Sequence, residues 1–172
     1  MKGSGIFILS CFAPLWLLLA KLNNAPLPWL AVALGICLSA ALIWLTRKQE
    51  DAPSTQSPAE QRRIGRVFMW SSIGEGVGIF IIINVLINMH MADRVMAGIA
   101  LVVGLHFIPI GLKVPTRVAL LLAAAMLVIS VAGFSIPSAE CAALFVGCAG
   151  AVTLWAAVIA AIKASTQRSP GR

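Results

Sequence analysis

Two ionisable side chains lie inside apolar stretches of this sequence. Glu75 belongs to the segment 71–78 (SSIGEGVG), and His106 belongs to the segment 104–109 (GLHFIP). A charged group at the centre of a membrane helix costs about 2.5–3.5 kcal/mol or more, so such a residue is a candidate functional residue by default. Because carboxyl and imidazole groups both bind and release protons, these residues predict a site for protons or for a polar substrate.

Helical spacing adds further polar groups to each candidate. Ser71 and Ser72 precede Glu75 by four and three residues, so the three share one face of a helix. Pro109 follows His106 by three residues and lacks a backbone N–H, which predicts a kink beside the imidazole. The alternatives are structural: a protonated Glu75 that is hydrogen-bonded between helices, and a His106 that only fills a packing position.

Glu75 and His106 are predicted to lie at similar depths in the membrane. At about 1.5 Å per helical residue, Glu75 lies about 13 Å along its helix from Arg66, and His106 lies about 10 Å along its helix from Lys113. Both cations are predicted at the same membrane face. The sequence therefore predicts that Glu75 and His106 approach each other.

A third polar cluster lies at the end of the apolar run that contains Glu75. Asn84 and Asn88 share a face at a spacing of four residues, nearly opposite Glu75, which predicts a central place in the bundle for this helix. The cluster ends in three residues that could hold a soft metal such as Cu(I), namely Met89, His90 and Met91. The alternative is a polar helix end. We expect no bound metal and no cofactor.

The elements that must position these residues are membrane helices. Hydrophobic residues make up 60% of the 172 positions and charged residues 11%, against a charged share of about a quarter in soluble domains. A spanning helix needs about 20 mostly apolar residues. The sequence predicts an all-α, polytopic membrane protein with one bundle of six helices, over residues 3–20, 27–46, 67–89, 95–112, 118–136 and 139–162.

The distribution of Lys and Arg predicts the orientation. With a cytoplasmic amino terminus, the inside segments hold Lys2, Arg47, Lys48, Arg62, Arg63, Arg66, Lys113, Arg117, Lys163, Arg168 and Arg172. Only Lys21 and Arg94 remain outside, as the positive-inside rule requires. Both termini are then cytoplasmic. Trp16 and Trp29 are expected at the outer interface, and Trp44 and Trp70 at the inner one.

Residues 47–66 form the one long connection, and they are rich in Gln, Ser, Pro and charged residues. Such a composition cannot bury an apolar core, so we expect a mobile cytoplasmic loop. The four cysteines, Cys11, Cys37, Cys141 and Cys148, lie in apolar runs and are expected to be small buried residues without disulfides. Glycine pairs such as Gly74 and Gly78 are expected to pack helices closely.

An internal repeat is suggested by two similar segments. The segment 12–15 (FAPL) in the first helix parallels 107–110 (FIPI) in the fourth, and each run begins with Gly-Ile. Two copies of three helices are inverted in the membrane, which is the architecture of many secondary transporters. Pro14 and Pro109 would then form equivalent helix kinks.

The segment 104–109 also resembles one found in small uncharacterised bacterial multi-pass inner-membrane proteins. The resemblance covers part of one helix. It implies no particular activity. We separately expect a bacterial inner-membrane location.

Three classes of function fit these features. A small transporter or permease with a buried Glu/His site explains the ionisable residues, the prolines and the repeat. A non-catalytic accessory or assembly partner explains the small size. An intramembrane enzyme ranks third, because the two groups lack an evident nucleophile or metal set beyond Ser71 and Ser72, and no catalytic residue is predicted. The expected partners are the lipid bilayer and either a second copy or another membrane protein. Nucleic acid is excluded, because the basic residues form no continuous face.

Overall fold

The computed structural model describes residues 3–47, 57–114 and 117–167, and these ranges contain helices and no strand. The helices are α1 (Gly3–Leu22), α2 (Trp29–Arg47), α3 (Pro58–Asn88), α4 (Val95–Lys113), α5 (Arg117–Ser135) and α6 (Ala139–Gln167). A short 3-10 turn, Ala92–Arg94, leads into α4. The predicted all-α class is confirmed.

Four helical segments are long and apolar enough to span a membrane: Ala59–Asn88, Ala92–Lys113, Arg117–Ser135 and Ala139–Lys163. Helices α1 and α2 contain shorter apolar stretches, Phe7–Leu22 and Trp29–Leu45. Large apolar side chains such as Leu30, Phe80, Leu121 and Val128 are exposed on the outside of the bundle. Because lipid is as apolar as these side chains, such a surface fits a membrane protein.

The helices pack in the order α3, α4, α5, α6, α1, α2, and α4 also contacts α6. Within the described ranges, α3 packs along α4 and has at most marginal contact with any other helix. The predicted central place of α3 is therefore wrong. The polar residues on its two sides do not require two neighbouring helices, because Asn84 donates to the carbonyl of Phe80 one turn earlier in α3 (2.7 Å).

Helices α1 and α6 meet through small residues. A side chain at Gly147 would overlap Ala20, and one at Gly150 would lie 2.9 Å from the Trp16 ring. The carboxyl half of α1 thus contacts the amino half of α6, so the two helices are antiparallel. Close approach of helix backbones at glycine is the usual packing mode in membranes.

The tryptophans divide into two groups. Trp16 is 3% exposed and belongs to the core, so its predicted place in an interfacial belt is wrong. The glycines of α6 create the space that its ring fills. Trp29, Trp44 and Trp70 are each more than half exposed, as residues at a membrane interface would be.

Helix α3 begins well before the predicted start at Val67. Ser57 caps it, because its Oγ accepts a hydrogen bond from the Glu60 N–H (3.3 Å), and Pro58 occupies the first helical position. This is a capping-box sequence with a favourable proline. Residues 58–66, predicted as loop, are therefore helical. The rest of the predicted loop, residues 48–56, lies outside the described residues.

His90 ends α3 rather than continuing it. Its φ is 57°, and its N–H donates to the Ile87 carbonyl (3.0 Å). The Met91 N–H donates to the Leu86 carbonyl (2.8 Å). This pattern is a Schellman motif, in which a left-handed residue closes the helix, and Asn24 (φ 62°) ends α1 in the same way.

Lys21 and Arg94 lie at the opposite end of the bundle from the other described Lys and Arg residues, and both have local partners. The Arg94 guanidinium donates to four backbone carbonyls at the end of α5, those of Gly133, Phe134, Ile136 and Pro137. It also pairs with Asp93 (2.9 Å). Lys21 lies 6.0 Å from the centre of the Trp29 ring. Arg94 thus satisfies carbonyls that a helix end leaves without donors.

All four cysteines are free, and Cys11, Cys37 and Cys141 are exposed while Cys148 is half-buried. The expectation that they are buried is therefore wrong. In an apolar membrane segment, a thiol on the outer surface faces the same apolar surroundings as one in the core, so the sequence pattern does not distinguish the two positions.

Two buried serines offer a matched test of helix packing. Ser130 Oγ donates to the Ala97 carbonyl (2.8 Å) and joins α5 to α4. Ser10 is equally buried, but its Oγ has no partner among the described residues. Interhelical bonds in membranes contribute about 0.6 kcal/mol on average and at most about 1.7 kcal/mol. We expect Ser130→Ala to lower the free energy of unfolding by that amount.

Ser10→Ala is the control and should leave the stability unchanged or raise it, because no hydrogen bond is lost. The measurement is reversible unfolding of both variants in detergent micelles. Equal destabilisation by the two substitutions would contradict the assigned Ser130 bond.

Candidate functional site

Ser71 and His106 join α3 to α4 through two reciprocal hydrogen bonds. His106 Nδ1 lies 2.9 Å from the Ser71 carbonyl oxygen, and Ser71 Oγ donates to the His106 carbonyl (3.2 Å). A carbonyl oxygen only accepts, so Nδ1 carries the proton of this bond. Neutral His106 then presents Nε2 as its acceptor. The ring is also fixed by an edge contact with Phe107, at 4.9 Å between ring centres.

Glu75 lies beside this pair. Its Oε2 is 3.6 Å from His106 Nδ1, close enough for an ion pair and too long for a hydrogen bond. The Glu75 side chain is 16% exposed and that of His106 is 8% exposed. The predicted approach of the two residues is confirmed. The imidazole therefore contacts both the carboxyl of Glu75 and the carbonyl of Ser71 through one nitrogen.

The spacing between α3 and α4 is set by two glycines that behave differently. A side chain at Gly78 would lie 2.8 Å from Val102 Cγ1, so the helices touch at this level. At Gly74 an added side chain would meet nothing within 4 Å. The predicted close packing holds at Gly78 and fails at Gly74. One helical turn below the contact, the helices therefore leave an open space.

This space is a groove of about 780 Å³ between α3 and α4. We call it the α3–α4 groove. It is lined by Arg63, Arg66, Val67, Trp70, Ser71, Gly74, Glu75, Gly78, Val102, Leu105, His106, Pro109 and Lys113. The cations stand at the helix ends and the ionisable pair lies deeper. Because α3 is at the edge of the bundle, the groove opens sideways to the surface that the apolar side chains cover.

Pro109, the residue predicted to kink α4, lines the same groove. Pro109 lies inside α4, and both Pro109 and Leu105 line the groove. Because proline has no backbone N–H, the Leu105 carbonyl lacks its usual helical donor. A residue that lines the groove thus has a backbone acceptor without its usual helical donor.

The remaining candidates do not join the site. Ser72, Asn84 and Asn88 are exposed and do not line the α3–α4 groove. Met89 and His90 stand at the other end of α3, where His90 serves helix termination. No group of three or more His, Cys, Asp or Glu side chains that could hold a metal ion occurs in the described part of the chain.

Sequence reasoning assigned Arg63, Arg66 and Trp70 to topology and to the interfacial belt, and missed that they line the groove. A signal was present. Arg63, Val67, Trp70 and Gly74 follow one another at spacings of four, three and four residues, so they share the helix face that carries Ser71. The predicted start of α3 at Val67 concealed this stripe.

The Gly78 contact can be tested against an open glycine in the same helix. We expect Gly78→Leu to destabilise the protein by about 1–3 kcal/mol, because the new side chain must displace Val102. Gly76→Leu is the control, since nothing lies within 4 Å of its added Cβ. Thermal unfolding in detergent measures both. Equal melting temperatures for the two variants would mean that α3 and α4 do not touch at Gly78.

Comparisons with known proteins give no match for this chain. No family model, no curated protein and no solved structure matches it. Its function is therefore inferred from the contacts of Ser71, Glu75 and His106 and from the α3–α4 groove beside them.

Proposed function

We propose that this chain is a small secondary transporter in which Glu75 and His106 form a proton-binding site beside the substrate path. One observation carries the proposal: Glu75, the only carboxyl of the described helices that lies beyond the first turn, stands against an imidazole, and both line an open groove. A pair with a purely structural role would be expected to lie in a closed helix contact. Here the pair faces space that a ligand can enter.

The pair suits reversible proton binding. With one proton shared between them, the two groups are either both neutral or oppositely charged, so the pair has no net charge. A second proton gives a net charge of +1, and a low-dielectric setting makes that state sensitive to a nearby anion. Substrate binding and protonation would therefore influence each other, which is the requirement for coupled transport.

We propose six membrane-spanning helices with both termini in the cytoplasm of a bacterial cell, in the inner membrane. The proposal adds α1 and α2 to the four long apolar helices, because the 20 residues of α1 extend about 30 Å, the thickness of the hydrocarbon core. The cations with local partners, Lys21 and Arg94, then lie outside. The remaining cations, including those of the groove, lie at the cytoplasmic face.

The inverted repeat remains a proposal with partial support. The repeat would map α1, α2 and α3 onto α4, α5 and α6. The α1–α2 contact would then have its equivalent in α4–α5, and the α1–α6 contact would have its equivalent in α3–α4. All four contacts exist. Pro14 and Pro109 each lie inside a helix. Helix α6 also packs against α4 and α5, whereas the described part of α3 has no comparable contact with α1 or α2.

The accessory-partner alternative rests on a different observation. Helix α3 has 31 residues and packs along one neighbour, which leaves polar groups such as Ser72 and Asn84 on its exposed side. A partner helix could cover that side. The intramembrane-enzyme alternative has no comparable support in the contacts of the pair.

The topology is tested with reporter fusions. We expect reporters at Gln56 and at the carboxyl terminus to read as cytoplasmic and one at Asn24 to read as external, because most Lys and Arg residues fall in the segments predicted on one side of the membrane. Alkaline phosphatase and green fluorescent protein fusions provide opposite signals for the two sides. An external carboxyl terminus would rule out six spans with a cytoplasmic amino terminus.

Proton coupling is tested by Glu75→Gln, which preserves side-chain size and removes the titrating group. Full-length protein is reconstituted into liposomes that contain a pH-sensitive dye, and polar and amphiphilic compounds are screened for compound-dependent proton flux. We expect Glu75→Gln to reduce this flux to the level of protein-free liposomes. Glu140→Gln is the control, because Glu140 is exposed in the first turn of α6.

Two results would count against the proposal. Wild-type flux from Glu75→Gln would remove the proton role of the pair. A wild-type protein that carries no compound-dependent flux with any member of the panel would favour the accessory-partner alternative.

A further inference from the structure

The mouth of the α3–α4 groove carries three cations from two helices. Arg63 and Arg66 stand one turn apart on α3, and Lys113 is the last residue of α4. All three line the groove and all three are exposed. None of them has a hydrogen bond or an ion pair with another residue in the described ranges. A triply cationic mouth with no counter-ion among the described residues is complementary to an anion.

The groove behind this mouth is apolar over most of its length. Its walls include Val67 and Trp70 on α3 and Val102 and Leu105 on α4. Gly74 keeps the floor open, since a Cβ there would meet nothing within 4 Å. A small free anion would bind the cations, but the apolar part of the groove would remain filled with water. A ligand with an anionic head and an apolar chain would fill both parts.

The position of the groove indicates that such a ligand would come from the lipid bilayer. Because α3 has no described neighbour except α4, one long side of the groove opens toward the exposed apolar surface rather than into the bundle. Trp70 stands at this opening with 66% exposure. Aromatic rings and basic residues at that level of a membrane protein contact lipid head groups. A lipid molecule can therefore enter from the side without crossing the bundle.

We propose that the α3–α4 groove binds one anionic phospholipid, with its phosphate among Arg63, Arg66 and Lys113 and one acyl chain along Trp70 and Gly74. A neutral phospholipid would leave the positive mouth without compensating charge. The site goes beyond proton binding by Glu75 and His106, and lipid binding needs no transport. Its failure is therefore distinguishable from a failure of the proposed transporter function.

The test measures lipid binding to the full chain. Delipidated protein in detergent is titrated with phosphatidylglycerol or with phosphatidylcholine of the same acyl chains, and bound lipids are counted by native mass spectrometry. We expect one phosphatidylglycerol to bind about tenfold or more tightly than phosphatidylcholine, because the three cations face a net anion in phosphatidylglycerol, whereas the choline cation of phosphatidylcholine offsets its phosphate. No preference between the two lipids would overturn the proposal.

Charge variants separate the groove from the general basic surface. Arg63→Gln with Arg66→Gln and Lys113→Gln should abolish the preference. The matched control removes three other exposed cations from the same end of the bundle, through Arg62→Gln with Arg117→Gln and Lys163→Gln, and should retain it. Equal loss in both triple variants would show that surface charge alone attracts the lipid and would overturn the groove assignment.

Shape variants provide a second test that leaves all charges in place. Gly74→Leu should fill the groove and block phosphatidylglycerol binding, whereas Gly76→Leu, outside the groove lining, should not affect it. Unchanged binding by Gly74→Leu would overturn the acyl-chain placement. Inorganic phosphate is added in excess as a competitor. Full displacement of the lipid by inorganic phosphate would show an anion site without a lipid channel and would also overturn the proposal.

Discussion

The crossed hydrogen bonds between Ser71 and His106 are the contact on which the site depends. Among the described residues α3 has no other extensive neighbour than α4, so these bonds and the close approaches at Gly78 and Gly98 fix its distance from α4. Single interhelical bonds in membranes are worth well under 2 kcal/mol, so the attachment is modest. The residues that hold α3 in place also orient the imidazole beside Glu75. A change that loosens the contact between α3 and α4 would therefore also disturb the geometry of the Glu75–His106 pair.

The cations of this protein fall into two physically different sets. Arg94 is engaged by backbone carbonyls of α5, and Lys21 lies over an aromatic ring. At the other end, Arg63, Arg66 and Lys113 have no partners among the described residues. The positive-inside rule does not distinguish the two sets, because it depends only on the number of Lys and Arg residues in each loop. The two cations predicted to lie outside, Lys21 and Arg94, thus have local partners, whereas the three at the groove mouth have none among the described residues.

Much of the fold could be predicted from the sequence, since long apolar runs between charges define helices with little ambiguity. The proximity of Glu75 and His106 followed from counting residues along two antiparallel helices. The order of neighbours could not be predicted, because helices that are apolar all round carry no pattern that marks the packed face. Trp16 illustrates this limit, since its buried position depends on glycines more than a hundred residues later in α6. The groove mouth was missed because the Ser57 cap was not recognised.

The pairing of the first helix with the last has a consequence for how the protein is made. Ala20 packs against Gly147, so α1 cannot reach its final contact until nearly the whole chain has left the ribosome. Contacts distant in sequence form late, because the intervening chain must be ordered first. During synthesis α1 therefore stays without this contact while α3, α4 and α5 pack against their sequence neighbours. Once α6 is made, it packs against both α1 and α5 and so joins the two groups of helices.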